Sequence, residues 1–184
     1  MFGSWIVLVV LAVILFSIIA IYNGLVQSRN LAQEGWSGID VQLKRRADLI
    51  PNLIEAVKGY MGHEKGVLES VTASRAQAMQ AATPADRAQA EGALSGALGK
   101  MMMVAENYPD LKASQNFQEL QKSLSETEDQ IQLSRRYYNG AARDLNIKVQ
   151  SFPSNLVANM FGFRQMTFFE LENAADRNAP KVSI

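Results

Sequence analysis

The chain has 184 residues, with 18 Lys plus Arg, 18 Asp plus Glu and no cysteine. That length allows one compact domain with an appendage. Zero net charge argues against a general nucleic-acid binder, whose contact face carries a basic excess. Without cysteine there are no disulfides and no thiolate metal sites. Alanine is abundant, proline is rare and strand-like alternation is missing, so the predicted class is all-α.

No charged side chain occurs from Met1 to Ser28, and Trp5 to Val26 is almost wholly aliphatic. About 20 apolar residues cross a hydrocarbon core of roughly 30 Å as a helix. Residues 1–26 therefore read as a single transmembrane anchor. A buried core helix is the poorer reading, because the segment is apolar all round. A cleaved signal peptide is poorer still: a basic leading region is missing, the run is too long, and no small-x-small site closes it. Trp5 and Tyr22 stand near the two ends, where interfacial aromatics belong and contact membrane lipid. Arg29 and Lys44-Arg45-Arg46 follow the run, and MFGS precedes it. The positive-inside bias then puts Met1 outside and the rest in the cytoplasm, at the inner (cytoplasmic) membrane.

Residues 27–150 read as an antiparallel helical bundle continuous with the anchor. From Trp36 to Tyr60 the apolar residues are Trp36, Ile39, Leu43, Ile50, Leu53, Val57 and Tyr60. That period of about 3.5 marks a helix with one face against a partner. Arg46 holds the seam position between Leu43 and Ile50. An unpaired buried charge costs several kcal/mol, so a carboxylate is required opposite it. Pro51 predicts a kink or local break near Asp48. Gly35 and Gly38 leave room for another helix to approach.

Gly59 to Gly62 reads as a turn. A second helix follows over His63–Ala82, with Val67, Leu68, Val71 and Met79 on its apolar face. Thr83-Pro84-Ala85-Asp86 starts a third, with Thr as cap and Pro at the first position. It runs to about Asn107 with Leu94, Leu98, Met101 and Ala105 in phase. Gly92 and Gly96 permit close packing, within the bundle or against a second copy. Tyr108-Pro109-Asp110 breaks that helix, and a long one continues to about Gln150. Its seam is Phe117, Leu120, Leu124, Thr127, Ile131, Ser134, Tyr138, Ala141 and Leu145. Residues 151–172 form a Phe-rich segment with a short helix from Leu156 to Phe161. Residues 173–184 are a polar, frayed tail.

If the first and last long helices are antiparallel neighbours, facing residue numbers add to a constant. Pairing the polar middles sets Arg46 opposite Glu128 and Asp40 opposite Arg135. The same register sets Leu43 against Ile131, Val57 against Phe117 and Trp36 against Asn139. Such charge pairs fix alignment in paired helices. The alternative is that Arg46 bends to solvent and its neighbours pair along one helix.

No catalytic constellation assembles. His63 is the only histidine. It lacks the second histidine, one turn on, of a zinc hydrolase; beside Glu64 it suits a helix start. No phosphate-binding Gly-rich loop and no cysteine nucleophile occur. Glu126, Glu128 and Asp129 read as a solvated face or as seam pairs. The expectation is a non-enzyme without cofactor or metal.

The residues Tyr22-Asn23, Arg29-Asn30, Trp36-Ser37, Ile39 to Leu53 and Val57-Lys58-Gly59-Tyr60 with His63-Glu64 form one set. Tyr108 to Lys112, Phe117, Leu120-Gln121, Thr127-Glu128, Ile131, Arg135, Tyr138-Asn139, Phe152-Pro153 and Phe168-Phe169-Glu170 form another. In both, the chain resembles the LemA family of bacterial membrane proteins over nearly its whole length. One departure is Leu145-Asn146, where a second Tyr-Asn pair is usual. The resemblance implies an N-terminal anchor with a helical bundle.

The expected function is a non-catalytic, membrane-anchored scaffold that self-associates and positions proteins or lipids. The alternative is an adaptor docking onto a membrane enzyme such as a protease. Its partners would be lipid, its own copies and another membrane protein, but not nucleic acid. Phe161, Phe163, Phe168 and Phe169 are hard to bury in a small bundle. With Gly92 and Gly96 they are the expected oligomer or membrane contacts.

Overall fold

The computed structural model describes residues 2–170, and every regular element among them is a helix. They are α1 (Phe2–Lys58), α2 (Lys65–Gln80), α3 (Pro84–Ala105), α4 (Pro109–Ala113), α5 (Gln115–Gln150) and α6 (Ser154–Met160). The polar tail, residues 173–184, lies outside the described residues. The chain divides into two compact units, one built on Met1–Gly38 with Arg135–Phe168, the other on Ile39–Ser134.

α1 is one helix of 57 residues. Its apolar beginning is long enough to cross a membrane, and the most apolar window is not buried at all. A soluble protein would bury such a window in its core, because leaving apolar surface in water forfeits roughly 25 cal/mol per Å².

Of the kink or local break expected near Asp48, the break does not occur: α1 stays helical through Pro51 to Lys58. Pro51 has no N–H to give the Ala47 carbonyl four residues back. Arg75 of α2 replaces it: its Nε donates to the Ala47 carbonyl oxygen at 2.7 Å. The orphaned acceptor thus becomes a tie between two helices.

The second unit packs the last turns of α1 with α2, α3 and the first half of α5. Ile50, Leu53, Val57, Val71, Leu94, Leu98, Met101, Leu111, Phe117 and Leu124 form its core. Two seam assignments shift. α1 ends before Tyr60, which is exposed, and Met61 enters the core in its place. On α2 the buried pair is Val71 and Ala78, two turns apart, so Met79 points out by one residue's rotation. Thr83 caps α3 as expected, accepting from the Asp86 N–H at 3.1 Å. Glu64 heads α2 without a side-chain cap bond, and His63 is exposed, so neither caps that helix.

In the first unit α1 and α5 lie antiparallel. Trp36 meets Tyr138 edge-on, with ring centroids 5.6 Å apart. A Cβ on Gly35 would stand 3.0 Å from the Tyr138 Cα, so glycine is what allows the approach. Gly38 has open space around it and plays no such part. Leu25, Leu145, Val157, Ala158 and Phe163 form this unit's core, with Ile18 and Ile21 against it.

Candidate functional site

Arg46 is 1% exposed, the largest fully buried side chain among the described residues. Its Nη1 donates to Glu128 Oε2 of α5 at 2.7 Å and to Ser95 Oγ of α3 at 2.9 Å. Its Nη2 donates to Glu91 of α3, through both the carboxylate and the backbone carbonyl. Glu91 is equally buried and also accepts from Arg87 Nε at 3.1 Å. Arg87 in turn reaches Asp40 at 3.3 Å. The result is a ladder of alternating sign, Asp40–Arg87–Glu91–Arg46–Glu128, joining α1, α3 and α5. Each buried charge has a complement, which is the condition under which burying it is tolerable.

Of the two predicted pairs, the structure brings Arg46 and Glu128 together. The pairing of Asp40 with Arg135 is corrected: Asp40 goes to Arg87, from a helix the register argument left out. The deepest partner of Arg46 is likewise Glu91, since the Glu128 side chain keeps 40% exposure. Sequence reasoning missed Arg87 and Glu91, although the signal was there. Stepping back from Leu98 and Leu94 by three and then four residues lands on Glu91 and Arg87. Charges on a seam are the same anomaly that singled out Arg46. Lys44 and Arg45 are exposed.

A second cluster surrounds the end of the apolar run. Tyr22 packs at a tilt against Phe161 and edge-on against Phe163, with centroids 4.8 and 5.8 Å away. The Arg29 guanidinium lies 5.2 Å over the Phe163 ring. Lys148 Nζ donates to Ser28 Oγ at 2.7 Å and to the Gly24 carbonyl at 3.1 Å. α6 is followed, after Phe161, by Gly162, whose φ of +72° favours glycine. Beyond it the chain returns along α5, where Asn146 exchanges two hydrogen bonds with the Met166 backbone, both 2.8 Å. The Tyr138 hydroxyl donates to the Thr167 carbonyl at 2.7 Å, and burial pushes its pKa above the usual tyrosine value. At the Leu145-Asn146 departure, Leu145 fills the core and Asn146 supplies the clamp.

Two of the four phenylalanines expected at an outer contact are buried inside the chain. Phe163 is held by its packing in the first unit's core, and Phe169 is fully buried. Phe161 and Phe168 remain about half exposed. Trp5 is exposed on the bare part of α1. Gly92, Gly96 and Gly99 have nothing within 4 Å of an added Cβ, so close packing within the bundle is not their role. Among the described residues no three His, Asp or Glu side chains gather as a metal site would require.

An apolar anchor helix that runs on to become the charged axis of a bundle defines a membrane-associated helical protein. Within that class the chain belongs to the LemA family, whose sequence model matches residues 35–184. It is 26% identical to magnetosome protein MamQ 2 of Paramagnetospirillum magneticum, covering 92% of this chain and 73% of the relative. It is 28% identical to protein LemA of Metamycoplasma hominis, covering 80% of this chain and 68% of the relative.

Proposed function

We propose that this protein is a non-catalytic scaffold, anchored by α1 with its bundle in the cytoplasm, that self-associates through the outer face of α3. One observation carries the reading. Gly92, Gly96, Gly99 and Met103 recur at steps of four, three and four, the spacing of a helix seam. No neighbouring atom occupies the Cβ space of the three glycines, and Met103 is 69% exposed. A heptad stripe without charge, with open space at its glycines, is fitted to a second helix at close range. The orientation rests on Arg29, Lys44 and Arg45 following the apolar run.

The open glycines make a clean test. Gly96→Leu meets no atom inside the chain and raises helix propensity, so the bundle should fold as well as before or better. The particle size of the full-length protein in mild detergent, by light scattering, should fall from a multimer to a protomer. A wild-type protein that is monomeric in detergent, and that co-purifies with one other membrane protein, would instead identify the adaptor.

A further inference from the structure

We propose that α6 and the turn before it form a wedge that enters the lipid leaflet on the bundle's side. From Trp5 to Ser17, α1 is exposed on every side. That is about 13 residues, or about 20 Å of helix. A hydrocarbon core of about 30 Å requires roughly six or seven residues more, which carries the span to about Gly24. Those further residues are not bare. Ile18 and Ile21 pack against the core that contains Val157 and Ala158 of α6, and the Tyr22 ring packs at a tilt on Phe161. Whatever depth they reach, α6 reaches with them.

The outer face of that element suits the position. Phe152 is 79% exposed, Leu156 59%, Met160 72% and Phe161 52%. No charged residue lies between Lys148 and Arg164. The cations stand at the border: Lys148 is bonded at Gly24 and Ser28, and Arg29 over Phe163. Apolar side chains bordered by Lys and Arg are the arrangement of an interfacial element, its cations at the phosphate level. The occupant of this face is lipid rather than a second copy, because the face continues the surface of the spanning helix. The wedge occupies one leaflet only, which a spanning helix alone does not. This inference rests on the reading of α1 as the membrane span.

The chain has no cysteine, so single spin labels can be placed on full-length protein in phosphatidylethanolamine–phosphatidylglycerol vesicles. Labels at Leu156→Cys and Met160→Cys are compared with Phe16→Cys in the bare span and Glu126→Cys on the exposed side of α5. The readout is collision with oxygen, which partitions into lipid, against a water-soluble nickel chelate. Leu156 and Met160 should show an oxygen preference several-fold above that of Glu126 and close to that of Phe16. Nickel access at both, with oxygen access at Phe16, overturns the wedge and leaves the span. Shielding from both reagents means a protein contact and overturns it too. Nickel access at Phe16 itself removes the span and the wedge together.

Discussion

Glu91→Gln should be the most damaging conservative substitution in the bundle, well beyond Glu128→Gln. Both remove one carboxylate charge bonded to Arg46, but the two sites differ in solvent. Arg46 and Glu91 are each 1% exposed, whereas the Glu128 side chain keeps 40%. Breaking a buried pair from one side leaves its partner uncompensated and costs about 3–5 kcal/mol. Glu91 also serves Arg87, so two guanidiniums lose a charge partner. Glu128 sits at the wet end of the ladder, where water replaces much of the lost interaction and the cost should be about 1 kcal/mol. Salt should weaken the Glu128 contribution and leave that of Glu91 nearly unchanged.

The assay is denaturant unfolding of the full-length protein in mild detergent, followed by helical circular dichroism, at low and high salt. Removing both charges is the control. Arg46→Met with Glu91→Leu fills the site with apolar groups and should recover most of the loss, because a buried pair and a well-packed hydrophobic substitute come out about equal. If Glu128→Gln costs as much as Glu91→Gln, the centre of the ladder is not where the burial puts it. If the double variant is as unstable as the single one, the loss did not come from the orphaned charge of Arg46.

Glycine to alanine should have opposite signs at two helical sites. Gly99→Ala, with open space, should stabilise by up to about 1 kcal/mol, while Gly35→Ala, 3.0 Å from the Tyr138 Cα, should destabilise by about 1–2 kcal/mol in the same unfolding assay. Arg75→Ala should cost about 1–2 kcal/mol by orphaning the Ala47 carbonyl. Most of that cost should vanish in a Pro51→Ala background, where the helix supplies its own N–H; a cycle without coupling would reject the link. Tyr138 has a raised pKa, so its contribution is complete below the unfolded-state value of about 10 and is lost as pH rises through the folded value. Unfolding measured against pH should be flat for this group up to about pH 10 and fall above it, and Tyr138→Phe should remove that alkaline limb. Protease added to intact cells should spare a C-terminal tag; its digestion without lysis would reverse the proposed orientation.

The helices were legible because their signals are local. Thr83-Pro84 announces α3, and the α5 seam from Phe117 to Leu145 places Phe117, Leu124, Thr127, Ile131, Tyr138 and Leu145 in buried positions, with one shift, Ala142 being buried in place of the expected Ala141. Arg46 was legible as an anomaly and Glu128 as one of its partners. Trp36 meets Tyr138 edge-on, the neighbour that the Arg46–Glu128 offset demands. What escaped were contacts from a third element. Arg87, Glu91 and Ser95 approach Arg46 from α3, and no pairwise register between α1 and α5 contains them. Arg75 escaped for the same reason: Pro51 advertises a missing donor without naming the helix that replaces it. The burial of Phe163 and Phe169 depended on the chain turning back after Gly162, which composition does not encode.

The four buried polar side chains among the described residues bear on where function lies. Ser28 accepts from Lys148, Thr127 donates to the Ser123 carbonyl, and Arg46 and Glu91 hold one another. Thr127 bonds within α5, while Ser28, Arg46 and Glu91 are each engaged with another helix and so fix an alignment of helices. Replacing such a network with apolar residues is often neutral or stabilising, so its contribution is better read as specifying one register than as adding stability. Register matters most when an outer face must be presented in one fixed alignment. In α3 the link is direct. Arg87, Glu91 and Ser95 occupy the inner side of the helix, and Gly92, Gly96 and Gly99, each one residue or a turn away, occupy the outer side. Locking the first set against Arg46 sets the rotation of the helix and therefore the aim of the second. Glu91→Gln should then loosen self-association as well as folding. In detergent at sub-denaturing conditions, the proposed multimer should dissociate before helicity is lost. A multimer that persists unchanged until the helices melt would separate the ladder from the outer face.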